Sequence, residues 1–220
     1  DVLIIVDVLS FSTCVSIACA HGAKVYPTEL QPEKAAKVAA DNNAMLAVKR
    51  SQWQSDSTAV CLSPASMNSL SNGDSIVLPS PNGAALSLQC GKTPVLAGCL
   101  RNARVVAAAA MHLGTTIGVI PAGERWEDDS LRPAWEDLVG AGAIINELDG
   151  ERSPEAAVAE MGYLSVVGEV SRRMRNTVSG RELIERGFEE DVLLACEENV
   201  DLVAPKLING CYQSIQQAGV

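Results

Sequence analysis

The chain predicts an α/β fold of three layers, a mostly parallel sheet with helices on both faces and a helical last third. Three observations carry this. Short unbroken apolar runs such as Leu3-Ile4-Ile5-Val6 are too short for helices and rich in β-branched residues, as strands buried on both faces are. They alternate with helical stretches through the first two thirds of the chain. The 220 residues suffice for one good-sized core, and no linker is long or polar enough to divide it, so 1–220 reads as a single domain.

In order, Asp7 closes the first run, and Ser10, Ser12 and Thr13 lead into a helix over 14–20 that His21-Gly22 ends. Ala23 to Tyr26 is a short strand, and Pro32 opens a helix to about Asp41, with Asn42-Asn43 past its end. Met45 to Val48 is the next strand. Arg50 to Asp74 is a long connection rich in Ser, Asn and Gln, and such a length is expected to serve function, here as a border or lid over the site. Ser75 to Leu78 is a buried strand running into Pro79-Ser80-Pro81-Asn82-Gly83 and a short helix to about Cys90. Pro94 to Ala97 is a strand, followed by Gly98 to Asn102 and an Ala-rich helix over 103–113. Thr116 to Ile120 is the last clear strand. It opens into Pro121-Ala122-Gly123-Glu124-Arg125, a polar loop holding Glu127-Asp128-Asp129, and a helix over 133–148. From Ser153-Pro154, a helix cap, the pattern is a long helix and then helices over 180–186 and 189–197, with Asp201 to Ile208 as a final edge strand.

A net charge of −10 argues against nucleic acid and anionic membranes as partners. No apolar run approaches a membrane span and no signal peptide is visible. The sequence opens at Asp1, without Met and inside a strand, so residues upstream are expected and a targeting segment among them stays open. Cys14, Cys19, Cys61, Cys90, Cys99, Cys196 and Cys211 are odd in number, show no CxxC pair and fall mostly in apolar stretches, as free thiols of a reducing compartment do; cytoplasm is the expected location.

Four strand ends carry polar or glycine-bearing turns: Asp7 with Ser12-Thr13, Ser80 to Gly83, Arg101-Asn102, and Gly123-Glu124-Arg125. In a parallel sheet these ends share one edge, where ligands of open α/β sheets bind. Together they offer carboxylates for a cation, and N–H groups and guanidinium for an anion. That suits a small phosphorylated or otherwise acidic ligand bound with a divalent metal. Glu136 and Asp137 add a second carboxylate pair in the first turn of the helix after the last strand, whose Gly140-Ala141-Gly142-Ala143 face permits close approach to the sheet. Each turn also has a purely structural reading: Asp7 and the serines as helix caps, Pro-Asn-Gly as an ordinary turn, and Glu136 and Asp137 as acids favoured by the helix dipole.

Absences prune the choices. Gly91-Lys92-Thr93 resembles the end of a phosphate loop, but Leu86 stands where the leading glycine is required. No cysteine is followed by five residues and an arginine, and Asp7-Val8-Leu9 lacks the second aspartate of an aspartyl phosphatase. His21 and His112 both sit at helix ends before a glycine, where histidine stabilises the terminus, so histidine catalysis is not expected.

The order DVLSFST (7–13), SPNG (80–83), CLRNARVVA (99–107), PAGER (121–125), LRPAWEDLVGAGAI (131–144), SPEA (153–156) and SGRELIERGFEEDV (179–192) resembles the 2-phosphosulfolactate phosphatase family over nearly the whole chain. The resemblance implies a magnesium-dependent acid phosphatase that releases phosphate from 2-phospho-3-sulfolactate, on the route to coenzyme M. It matches Asp7, Ser12 and Thr13 to the first motif, Asn82 and Gly83 to the Asn-Gly turn, and Glu136 and Asp137 to the Glu-Asp pair. On this reading Asp7 with one or both of Glu136 and Asp137 holds Mg²⁺. Ser12, Thr13, Ser80, Asn82, Gly83 and Asn102 contact a small anionic phosphoester, and Arg101 or Arg125 clamps it. Direct attack of water and a phospho-enzyme at Asp7 both stay open, as does a homo-oligomer. The archaeal members carry arginine where this chain has Ser10, which implies a preference shifted away from the sulfonated substrate. The alternatives are a non-catalytic domain binding an acidic metabolite and, less favoured for want of a nucleotide loop, a carboxylate-activating transferase.

Overall fold

The computed structural model describes residues 1–53 and 59–215. Strand β1 (Val2–Val6) leads through helix α1 (Phe11–Ala20) to β2 (Lys24–Thr28), α2 (Pro32–Asp41) and the short β3 (Met45–Leu46). The long connection that follows contains a 3-10 turn over Arg50–Gln52 and one α-helical turn, α3 (Pro64–Met67), and its segment 54–58 lies outside the described residues. Next come β4 (Ser75–Pro79), α4 (Gly83–Gln89), β5 (Val95–Gly98), α5 (Ala103–Leu113) and β6 (Ile117–Pro121). A small ribbon of β7 (Glu124–Arg125) and β8 (Leu131–Arg132) precedes α6 (Trp135–Asn146). Four helices follow: α7 (Pro154–Leu164), α8 (Val170–Met174), α9 (Val178–Glu185) and α10 (Glu189–Ala195). The hairpin β9 (Ala204–Ile208) and β10 (Cys211–Ile215) comes last.

The sheet has eight strands in the order β3-β4-β2-β10-β9-β5-β1-β6. Most of its pairings are parallel: β1 with β5 and β6, and β4 with β2 and β3. The expected final edge strand is instead central. β9 and β10 pair with each other along their whole length and join two parallel three-stranded blocks, touching β5 at Leu96↔Lys206 and β2 at Val25↔Tyr212. Their segments read weakly as strand because Pro205 and Lys206 break the apolar alternation, and a sequence window does not show that two strand edges are waiting for them.

Three of the five steps from β4 to β1 are antiparallel, so by topology the two blocks run in opposite senses. Yet the ends of β4 and β1 meet, with the Gly83 N–H donating to the Asp7 carboxylate at 2.8 Å. Twist of about 20–25° per step turns the two blocks toward one another, and the contact itself is made by the connections after the strands, where α1 and α4 begin. The shared edge foreseen for a parallel sheet exists, by a different geometry.

Alternate residues of the sheet feed two cores. Val2, Ile4, Val6 and Leu96 face α5, α6 and the later helices; Ile5, Val95, Ala97, Ile76 and Leu78 face α1, α3 and α4. This is the three-layer arrangement, and β1 is buried on both sides. The small-residue face of α6 serves two neighbours. A Cβ on Gly140 would stand 2.6 Å from Val8, and one on Gly142 would stand 2.1 Å from the Ala159 carbonyl of α7. The expected Ser153 cap forms, accepting the Ala156 N–H at 3.2 Å, but the long helix after it breaks between α7 and α8. No helix among the described residues is long and apolar enough to cross a membrane.

Candidate active site

Asp7 leaves β1 with its carboxyl group turned inward, 4% exposed. Oδ1 accepts the N–H of Phe11, the first residue of α1, at 3.1 Å; Oδ2 accepts the N–H of Gly83, the first residue of α4, and has the Ser80 hydroxyl at 3.5 Å. Two helix starts thus converge on one carboxylate. Gly83 is required for this: a Cβ there would stand 2.4 Å from the Phe11 ring and 2.8 Å from Asp7 Oδ2. Burial still dominates and pushes the Asp7 carboxyl from its ordinary 3.8 up to about 6, against both N–H donors and helped by the charges of Glu124 and Glu136.

Asp137, in the first turn of α6, joins the loops after β1 and β6. Its Oδ1 accepts the Val8 N–H at 2.8 Å and its Oδ2 the Gly123 N–H at 2.9 Å. Burial, then the charge of Asp7, holds its carboxyl well above the usual range. Glu136 beside it is 2% exposed and lines a cavity of about 430 Å³. Among the described residues no hydrogen bond or ion pair engages its carboxylate. Glu124 comes in from β7, where Asn82 Nδ2 donates to its Oε2 at 3.0 Å. The structure therefore brings Asp7, Ser80, Asn82, Gly83, Glu136 and Asp137 to one place, with Glu124 added.

Ser12 and Thr13 border this place but spend their hydroxyls on the chain itself. Ser12 Oγ donates to the Ile5 carbonyl and accepts the Asp7 N–H, and Thr13 Oγ1 donates to the Val8 carbonyl. They shape the β1–α1 connection rather than reach for a ligand.

Arg101, Asn102 and Arg125 make their contacts away from this acidic cluster. The Arg101 guanidinium forks onto Asp201 at 2.8 and 2.9 Å, donates to the Leu194 carbonyl, and is also paired with Glu197. Ser16 completes the Asp201 shell. Asn102 is fully buried, accepting the Cys99 N–H and donating to the Ala97 and Val203 carbonyls. Arg125 is exposed and donates to the Asp129 carbonyl within its own ribbon. All three cations or donors are consumed by structure. In Gly123-Glu124-Arg125 the glutamate faces the site and the arginine does not, because alternate residues of a strand point oppositely.

Two arginines that sequence reading passed over stand nearby. Arg50 reaches from the long connection to donate to Ser10 Oγ at 2.8 Å and to Asp191 at 3.2 Å, lying over the Phe188 ring. Asp191 also holds Ser63 and the Ala65 N–H, so it pins both described flanks of that connection. A guanidinium therefore occupies the space beside Ser10 although residue 10 itself is not arginine. Arg132, within LRPAWED, lines the cavity next to Glu136. Its place beside the Glu-Asp pair was a usable signal; for Arg50 there was none.

The donors at the acidic edge are all oxygens and fit a hard divalent cation such as Mg²⁺. Among the described residues no three acid, histidine or cysteine side chains stand in reach of one ion. Asp7, Glu136 and Asp137 thus form no three-ligand cage; the carboxylates of Asp7 and Asp137 each accept two backbone N–H groups, while that of Glu136 accepts none among the described residues. Mg²⁺ is usually held by one or two carboxylates with waters and substrate phosphate oxygens, which Asp7 and Glu136 can provide.

A carboxylate cluster at the end of β1, beside a cavity lined by arginine, marks an α/β protein with a candidate ligand site at its strand ends. The family model described as 2-phosphosulpholactate phosphatase matches residues 1–210, and the chain belongs to that family. It is 33% identical over 147 residues to the 2-phosphosulfolactate phosphatase of Methanothermobacter thermautotrophicus, a match spanning 66% of this chain and 61% of that relative. It is 25% identical over 223 residues to the probable 2-phosphosulfolactate phosphatase of Symbiobacterium thermophilum, spanning 95% and 92%.

Proposed function

We propose that the protein is a Mg²⁺-dependent phosphomonoester hydrolase that acts on 2-phosphosulfolactate or a close analogue. The observation that carries this is the gathering of Asp7, Glu124, Glu136 and Asp137 at one edge with no guanidinium or ammonium paired to Asp7, Glu136 or Asp137 among the described residues. The names of the family and of both relatives support the phosphatase chemistry.

A phosphomonoester dianion repels nucleophiles, so the task is charge neutralisation and alignment. Asp7 and Glu136 would hold Mg²⁺, which when bound screens the phosphate and acidifies a ligating water. The Asp7 carboxylate is aimed by the Phe11 and Gly83 N–H groups. Asp137 fixes the loops on either side, and Asn82 keeps Glu124 directed at the same point. Arg50 puts a guanidinium beside Ser10, where it is paired with Asp191; the printed names of both relatives keep 2-phosphosulfolactate as the preferred substrate. All seven cysteines are free, which fits a reducing compartment such as the cytoplasm.

The test is phosphate release from 2-phosphosulfolactate and from unsulfonated phosphorylated hydroxy acids, with Mg²⁺ and with EDTA. Turnover lost on chelation and restored by Mg²⁺ is expected. Tight binding of these compounds without release, in either condition, would instead indicate a non-catalytic binding domain.

A further inference from the structure

The cavity beside Glu136 lies between the β8–α6 turn and α8–α9, and its walls include Arg132, Arg173, Arg181 and Ser179. Its volume, about 430 Å³, is in the range of small-molecule sites. The side chain of Arg132 is only 11% exposed, and its guanidinium lies 5.6 Å over the Trp126 ring. Its polar contacts are long: the Ser179 hydroxyl at 3.5 Å, and the carboxylate of half-exposed Glu182 at 3.9 Å. A nearly buried cation without a close counter-charge is costly unless an anion is supplied. Arg181 is exposed on the same wall with no ion pair among the described residues, and α9 starts there, its dipole favouring negative charge. Of the acidic cluster, Glu136 lines this cavity, and its charge is felt at Asp7. The cavity therefore joins one member of the acidic edge to a wall that carries arginines.

We infer that this cavity seats the acid groups of the substrate that do not react, and that Arg132 is a specificity-determining residue recognising a carboxylate or sulfonate carried next to the phosphoester. The inference rests on the phosphatase reading above and adds to it which wall reads the substrate. A planar guanidinium lying over the tryptophan ring presents a fork that suits two oxygens of one sulfonate or carboxylate. A phosphomonoester without a second acid group leaves that fork empty.

The test compares Arg132→Ala and Arg181→Ala on 2-phosphosulfolactate and on p-nitrophenyl phosphate, which carries no second acid group. Arg132→Ala should lower kcat/KM for 2-phosphosulfolactate by roughly 10–100-fold, mostly through KM, as loss of one charge-assisted fork does. Turnover of p-nitrophenyl phosphate should change by less than about 3-fold. Arg181→Ala should act in the same direction, more weakly. Equal losses on both substrates, or none on either, would overturn the inference; if Arg132→Ala does not fold, an unchanged KM in Arg181→Ala does so. Should the wild type fail to hydrolyse 2-phosphosulfolactate, the substrate reading falls by itself. The cavity is then judged by calorimetric titration with 3-sulfolactate. Binding by the wild type that Arg132→Ala abolishes upholds the cationic wall, and absence of binding by the wild type refutes it.

Discussion

Arg101 and Arg132 have nearly equal side-chain exposure, 10% and 11%; Arg101 follows β5 of the main sheet and Arg132 ends β8 of the small ribbon. Their surroundings differ. Arg101 is saturated: a forked Asp201, a backbone carbonyl and Glu197 take its donors, and Ser16 and Asn102 close the region around it. Arg132 has only distant polar contacts and an open cavity in front of it. The same division separates the acids. Asp201 is matched by a cation, whereas Asp7 and Asp137 are buried without one among the described residues, and burial holds both carboxyls above their ordinary pKa. Polar residues at strand ends are of two kinds, then: those that complete each other, and those left for something that arrives later.

The comparison is broken most severely at Arg101. Arg101→Ala strands Asp201 without its cation and should cost about 3–5 kcal/mol of stability, read by urea unfolding, while the folded fraction keeps its kcat. A variant as stable as wild type but inactive would return Arg101 to the site. The reverse is expected at the acidic edge. Asp7→Asn keeps the side-chain volume and should lower kcat by roughly 10²–10³-fold in a protein that still unfolds cooperatively. Near-normal turnover in a folded Asp7→Asn protein would end the proposal for that edge.

A third measurement sharpens the difference through pH. The folded protein holds the Asp7 proton more tightly than the unfolded chain, at about 6 against 3.8. In metal-free buffer its contribution to stability is therefore full below about pH 4 and is lost as pH rises through about 6, to the extent of about 3 kcal/mol. Mg²⁺ competes with that proton, so it should raise Tm more at about pH 7.5 than at about pH 5, and Asp7→Asn should remove the difference. An equal Mg²⁺ effect at both pH values would show that the ion binds elsewhere. The smallest effect belongs to Arg125→Ala, which should stay within about 0.5 kcal/mol of wild type and keep its activity, since the side chain is exposed and bonded only to its own ribbon.

Much of this was legible in the sequence. Leu3-Ile4-Ile5-Val6 reads as a doubly buried strand because its burial is written in every residue, and Asp7 reads as a site residue because it is the first charge after that strand. Glu136 and Asp137 were found as a pair, but not their division of labour: one tethers loops while the other faces a cavity. Arg101 misled because its partners, Asp201 and Glu197, lie about a hundred residues further on. Arg50 escaped for the converse reason, since nothing around it in sequence announces that it ends beside Ser10. Local pattern reports burial and turn chemistry, whereas pairing of charges is a long-range outcome of topology.

The central hairpin has a consequence for how the molecule comes into being. During synthesis the block β5-β1-β6 and the block β2-β4-β3 emerge early and can each pair in parallel, but the strands that join them are made last. Until β9 and β10 appear, β5 and β2 each present an unpaired edge, the kind of surface that recruits strands from other chains. Closure requires contacts between residues far apart in sequence, Val25 with Tyr212, and such distant pairings are slow to form. A nascent chain cut short before Ala204 would hold two half-sheets with sticky inner borders, and aggregation rather than a smaller folded protein is its fate.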